Sequence, residues 1–189
     1  MKFQKKEAVT GLLFAISLIG MTYQSTSIAG HADKNKRGVQ GSVTCGGNYF
    51  SRSGGSELHR STYVLRNIAN EGAINIQRIR VYNANGMVLF DSSLTGLPSF
   101  YNSVISASDT ALDPHQSAQL RIVDMIPSQS RNNRPLQTVI NWTANQTILS
   151  LEAVNVRTIA DVDPVTGKVG KQRGRHLYEC RTTKLTKHW

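Results

Sequence analysis

From Leu58 onward the chain is written almost wholly in period two, and that rhythm excludes most folds. In residues 58–68, Tyr63 and Leu65, extended by Ser61, fall on one face, while Thr62, Val64 and Arg66 fall on the other. One such face is that of a half-buried strand. Ala69-Asn70-Glu71-Gly72 supplies a turn, and Ile74, Ile76, Ile79 and Val81 follow. The phase slips between Ile76 and Ile79, which predicts a bulge. Asn83-Ala84-Asn85-Gly86 tolerates positive φ and joins this strand to residues 87–91 as a hairpin. Further strands are expected over 117–125, with Ala118, Leu120, Ile122 and Asp124 on one face, and over 136–143. In 148–158, Leu149, Leu151 and Ala153 share a face with either Asn155 or Arg157. Asp163-Pro164-Val165-Thr166-Gly167 has turn chemistry and leads into a strand over 169–180. Seven or eight strands at short spacing, without helical periodicity or repeats, predict an all-β antiparallel sandwich.

The first thirty residues read as an address. Lys2, Lys5 and Lys6 precede an uncharged run over 8–21, and small residues at Ser27-Ile28-Ala29 and Gly30-His31-Ala32 offer cleavage sites. A run this short falls below the roughly 20 residues a spanning helix needs, so a secretory peptide over 1–32, cut after Ala29 or Ala32, is expected. The predicted organisation is then a flexible basic leader over 33–42, one domain over 43–183 and a basic tail over 184–189. The mature protein is expected to be exported, periplasmic or extracellular, with no transmembrane anchor.

Export makes a disulfide chemically accessible, and the chain has two cysteines, Cys45 and Cys180, near opposite ends of the domain. No C-x-x-C pattern suggests redox work, so a structural staple is predicted. Closing so long a loop stabilises a fold by about 5 kcal/mol on the chain-entropy model.

The formal charge of +10 falls to +8 when the signal is removed, and such a balance favours anionic neighbours. Lys168, Lys171, Arg173, Arg175, Arg181, Lys184 and Lys187 crowd the C-terminal region. Strict alternation would put Lys171, Arg173 and Arg175 on one face, opposite Tyr178 and Cys180, as a stripe about 13 Å long. That stripe is a candidate site for anionic polymers or lipid head groups; charge protection of a sheet edge is its structural counterpart. Interleaved aromatics are missing, which disfavours nucleic acid.

Catalytic signatures are absent: no G-x-S-x-G, H-E-x-x-H, phosphate-loop or EF-hand pattern occurs. His59, His115 and His176 are scattered. Asp113-Pro114-His115 invites a hydrolase reading, with residues 92–110 as a lid, but this histidine stands where a turn is expected. No metal site and no cofactor are predicted; Asp161 and Asp163 alone make a poor calcium site.

Several segments carry a likeness: Tyr63-Val64-Leu65-Arg66-Asn67, Ile79-Arg80-Val81-Tyr82-Asn83-Ala84-Asn85-Gly86, Leu112-Asp113-Pro114-His115-Gln116-Ser117-Ala118, Val139-Ile140-Asn141-Trp142 and Leu151-Glu152-Ala153-Val154. Their order resembles a family of uncharacterised exported bacterial proteins with an immunoglobulin-like domain. The likeness implies an immunoglobulin-like sandwich and export, with residues 92–110 as an insertion, and it implies no substrate. The expectation is therefore a non-enzymatic binding or accessory module whose partner is an envelope or extracellular protein, or an anionic polymer.

Overall fold

The computed structural model describes residues 38–186, apart from 102–104, 107 and 147. They belong to one compact unit, Asn35–Trp189. The signal expected over 1–32 lies outside the described residues, as does the first half of the leader, 33–37.

Eleven strands are present among the described residues: β1 (Val39–Gly46), β2 (Tyr49–Arg52), β3 (Glu57–Arg66), β4 (Ile74–Asn83), β5 (Val88–Asp91), β6 (Ala111–Leu112), β7 (Ser117–Arg121), β8 (Pro135–Ala144), β9 (Glu152–Val162), β10 (Val169–Glu179) and β11 (Arg181–Thr186). A single-turn helix, α1 (Ser92–Thr95), is capped by the Asp91 carboxylate. The strands form two antiparallel sheets. One has the order β11-β1-β8-β4-β5, with β6 also on β4; the other has β10-β9-β3-β2, with β7 also on β3. The count exceeds the seven or eight expected because β2 and β6 are too short to show a period and because the 169–180 run continues past Cys180 into the other sheet.

Alternation decides which side chains meet between the sheets. β3 turns His59, Ser61, Tyr63 and Leu65 inward, and β8 does the same with Thr138, Ile140, Trp142 and Ala144. Ile74, Ile76, Ile79 and Val81 of β4 are all buried, and the phase slip is real: the register with β8 shifts between Ile76 and Arg78. The extra residue keeps four isoleucine and valine side chains on the core face across a break in period. Tyr63 crosses the core, its hydroxyl 2.7 Å from the Thr138 hydroxyl on the facing sheet.

Two asparagines do turn chemistry from inside. Buried Asn67 donates to the carbonyls of Gly72 and Leu112, both at 2.9 Å, which ties the 69–72 turn to β6. Asn83 accepts from the N–H groups of Asn85 and Met87 and so closes the β4–β5 hairpin. Asp163 accepts from Val165 and Thr166 in the β9–β10 turn, and those two N–H groups hold its carboxyl below its usual range.

Three expectations are corrected. β1 starts at Val39, inside the leader predicted over 33–42, because it has a neighbour on both sides, β8 and β11. β11 reaches Thr186, inside the predicted tail, for the same reason. The strand predicted over 117–125 ends at Arg121, where Ile122–Asp124 forms a 3-10 turn and the Asp124 carboxylate takes a bidentate grip from Arg121, both bonds 2.8 Å.

Candidate functional site

Cys45 and Cys180 form a disulfide across 135 residues. Cys45 ends the inward row of β1, and Cys180 stands between β10 and β11, where one continuous run leaves one sheet and joins the other. The bridge therefore closes the corner between the two sheets, as the pairing of the only two cysteines predicted.

The predicted cationic stripe lies on β10, the edge strand of its sheet, and Lys171, Arg173 and Arg175 are all exposed. They do not share a face. The register with β9 shifts twice, between Val169 and Gln172 and between Gln172 and Gly174. Arg175 consequently stands opposite Thr158, on the face of Ala160, whereas Arg173 contacts the carboxylate of Asp161, on the other. These bulges, unlike that of β4, cannot be read from alternation, because β10 is exposed nearly throughout and has no buried apolar row whose phase would slip. The three cations are thus divided between two faces, and one of them is occupied by an ion pair.

Inside the sandwich, the sequence missed a polar cluster on the inward face of β3 and β9. His59 is 3% exposed and stacks on Phe50, with ring centroids 4.6 Å apart. Arg157 Nη2 lies 2.8 Å from His59 Nδ1, and His59 Nε2 contacts the Glu57 carboxylate. A guanidinium only donates, so Nδ1 accepts and Nε2 carries the ring proton toward Glu57. That hydrogen bond holds the Glu57 carboxyl below its usual range. Both ring nitrogens are committed, which leaves His59 none with which to activate a hydroxyl. A histidine followed by alternating buried positions, with Glu57 two residues before it, was the available signal, but the guanidinium partner Arg157 lies 98 residues away.

His115 occupies an exposed turn with φ of 61°. The shallow groove beside it is lined by Arg66, Asn67, Ile68, Gln116 and Ser117. The 92–110 segment goes elsewhere: Ile105 is buried, Leu97 and Phe100 pack on the core, and Tyr101 donates its N–H to the Gln119 carbonyl. Lid and histidine, joined in the hydrolase reading, line separate grooves.

A broad groove lies on the outward face of the six-stranded sheet. It measures about 510 Å³; Gly41 and Trp142 contribute to its wall, and its outward side chains are Gln40, Ser42, Gln77, Arg78, Asn141, Thr143, Thr183 and Leu185. Register builds it in rows: Thr183, Ser42, Asn141 and Arg78 stand side by side across four strands, with Leu185, Gln40, Thr143 and Asn75 in the next row. The β4 bulge supplies Gln77, whose amide donates to the Thr143 hydroxyl at 3.2 Å. The one charged lining residue, Arg78, is held by Asp91 in a bidentate pair, its Nε donating at 2.8 Å. That guanidinium keeps the Asp91 carboxyl far below its usual range. What remains is an uncharged surface of hydroxyl and amide groups with the exposed Leu185 side chain beside them. Trp142, the tryptophan that a sugar-stacking platform would need here, points inward and is 1% exposed.

No protein-family model, curated protein or solved structure matches this chain. Among the described residues no helix is long and apolar enough to cross a membrane.

Proposed function

We propose that this chain is an exported, non-enzymatic binding or accessory module of the cell envelope or extracellular space, and that it recognises its partner on the outward face of the six-stranded sheet. The observation that carries this reading is the 510 Å³ groove, whose lining donates and accepts hydrogen bonds while its only charge is neutralised in place. Such a surface selects by hydrogen-bond geometry and suits an envelope protein that presents uncharged polar groups. Export is supported by the bridge between Cys45 and Cys180, a bond that persists in oxidising compartments, and by the basic and apolar pattern over 1–32. The likeness to the exported immunoglobulin-like family points the same way. The engagement of both His59 nitrogens and the separation of His115 from residues 92–110 favour binding over hydrolysis.

The test is recovery of an envelope partner by the wild-type protein, compared with an Asn141→Lys/Thr143→Lys variant that plants two cations in the groove. Loss of the partner with an unchanged circular dichroism spectrum supports the reading. Equal recovery by both proteins removes the groove from consideration, and turnover of a small ester or amide by the wild type removes the non-enzymatic claim.

A polyanion reading through β10 has one observation in its favour, the exposure of Lys171 and Arg175 on an open edge. It predicts binding that weakens steeply with salt, and replacing Lys171, Arg173 and Arg175 by serine would abolish it.

A further inference from the structure

The Cys180 N–H donates to the Ala153 carbonyl at 3.1 Å, which fixes the direction of every backbone group in the second half of β10. In an antiparallel ladder the N–H and C=O of alternate residues point to the same side. Counting back from Cys180, those of Tyr178 and His176 face β9, and those of Glu179, Leu177 and Arg175 face the open edge. Over this stretch the register is unbroken, from Gly174 opposite Ile159 to Glu179 opposite Val154. The first half of β10, in contrast, is interrupted by its two register shifts and carries Lys171 and Arg173. Bulges and cations are the devices that keep an edge strand from pairing. The first half of β10 has both; the second half has no bulge, and its one arginine or lysine, Arg175, is matched by Glu179 on the same face.

The second half presents Arg175, Leu177 and Glu179 on one face, all exposed, Leu177 at 65%. Among the described residues neither Arg175 nor Glu179 has an ion-pair partner. Read backwards, this triplet is its own complement. An antiparallel copy centred on Leu177 sets leucine against leucine, Arg175 against Glu179, and Glu179 against Arg175. On the opposite face it sets His176 against Tyr178. Centring the copy on Arg175 would oppose two guanidinium groups, and centring it on Glu179 would oppose two carboxylates. Like charges directly opposite one another in a sheet are unfavourable, so only one of these registers is served.

We infer that residues 175–179 of β10 pair with the same residues of a second copy of this chain about a two-fold axis at Leu177, joining two five-stranded sheets into one. The contact is isologous, each side supplying the same three residues. It needs no change in backbone conformation, since the outward N–H and C=O groups already alternate with those bonded to β9. It is independent of the groove on the other sheet.

Charge reversal tests the register itself. In sedimentation velocity over a concentration series, the purified wild-type protein shows a monomer–dimer equilibrium that weakens with salt. Arg175→Glu alone sets carboxylates against Glu179 of the other copy, and Glu179→Arg alone sets guanidinium groups against Arg175; each weakens the dimer at least tenfold. An equimolar mixture of the two variants restores association to within about threefold of wild type, because one copy then supplies two carboxylates and the other two guanidinium groups. Amide exchange gives a second reading without any variant: N–H protection at Leu177 rises with protein concentration, and that at Tyr178 does not. A wild-type protein that stays monomeric up to millimolar concentration overturns the inference. So does a dimer that both single variants leave intact, or a mixture no better than its components.

Discussion

Gly41 sits in β1 against the indole of Trp142, and adding one methyl group there is the sharpest test of how the core is assembled. A Cβ built on Gly41 would lie 2.5 Å from Trp142 Cζ2, 2.6 Å from Cε2 and 2.5 Å from the Thr183 carbonyl oxygen. Favourable contacts between carbon atoms fall near 3.5–4.0 Å, so each approach is about 1 Å too close. Neither neighbour gives way easily. Trp142 is 1% exposed, and Thr183 belongs to β11, held to β1 by its ladder. Overpacking of this kind costs about 1–3 kcal/mol, and a clash with backbone puts Gly41→Ala at the upper end, about 3 kcal/mol. The backbone at Gly41 is not left-handed, so alanine brings no φ strain, and its reduced unfolded-state entropy offsets somewhat less than 1 kcal/mol. For a domain of this size the melting temperature should fall by roughly 6–12 °C. Urea unfolding followed by circular dichroism measures the loss. In a Trp142→Phe background two of the three close contacts disappear, so the same Gly41→Ala change should cost about 1 kcal/mol, a coupling of about 2 kcal/mol. A Gly41→Ala protein within 0.5 kcal/mol of wild type would refute the packing described here, as would an equal cost in both backgrounds.

Replacing both cysteines by serine should lower stability by about 5 kcal/mol on the chain-entropy model, with a steeper urea dependence because the unlinked unfolded chain exposes more surface. Asp91 is held below the ordinary carboxyl range in the fold, so its contribution is present above about pH 4 and is lost as pH falls further. Asp91→Asn should accordingly flatten the acid limb of a stability–pH curve measured by urea midpoints. Burial pushes the Tyr63 phenol well above its ordinary value. The stability it confers is complete below about pH 10 and is lost as pH rises beyond that. Tyr63→Phe should remove that alkaline loss while costing about 1 kcal/mol at neutral pH for the hydrogen bond to Thr138. Replacing His59 by leucine should destabilise the domain by about 2 kcal/mol, because the part-buried Arg157 guanidinium then loses its ring-nitrogen acceptor; a change below 0.5 kcal/mol would show that the cluster contributes little.

Local rules made much of the sandwich legible. The inward row of β3, the hairpin at 83–86, the turn at 163–167 and the β4 bulge follow from alternation and turn chemistry, each written within a dozen residues. The disulfide followed from there being two cysteines and no redox spacing. What escaped notice depends on neighbours distant in sequence. β1 begins at Val39 because β8 and β11 flank it, and its polar, glycine-bearing segment has a weak strand pattern of its own. The faces of β10 depend on two bulges set by pairing with β9, and an alternation rule counted back from Tyr178 places Arg175 correctly but assigns Arg173 to the wrong side. The groove could not be foreseen at all: its rows join residues near 42, 78, 141 and 183, and hydroxyl and amide side chains on outward strand positions look the same whether or not they line a cavity.

The closed corner at Cys180 also governs what happens when the molecule is pulled. Tension on the two flanking segments enters at Val39 and Thr186, which are paired at the same end of the β1–β11 ladder. The load opens that ladder like a zipper, pair by pair, as far as Thr44 and Arg181. There it reaches the sulfurs, and the path of force passes straight from Cys45 to Cys180. The chain between them, 135 positions from one cysteine to the other, bears none of it. At about 3.5 Å per residue that shelters roughly 470 Å of chain, a length that only a reductant would release.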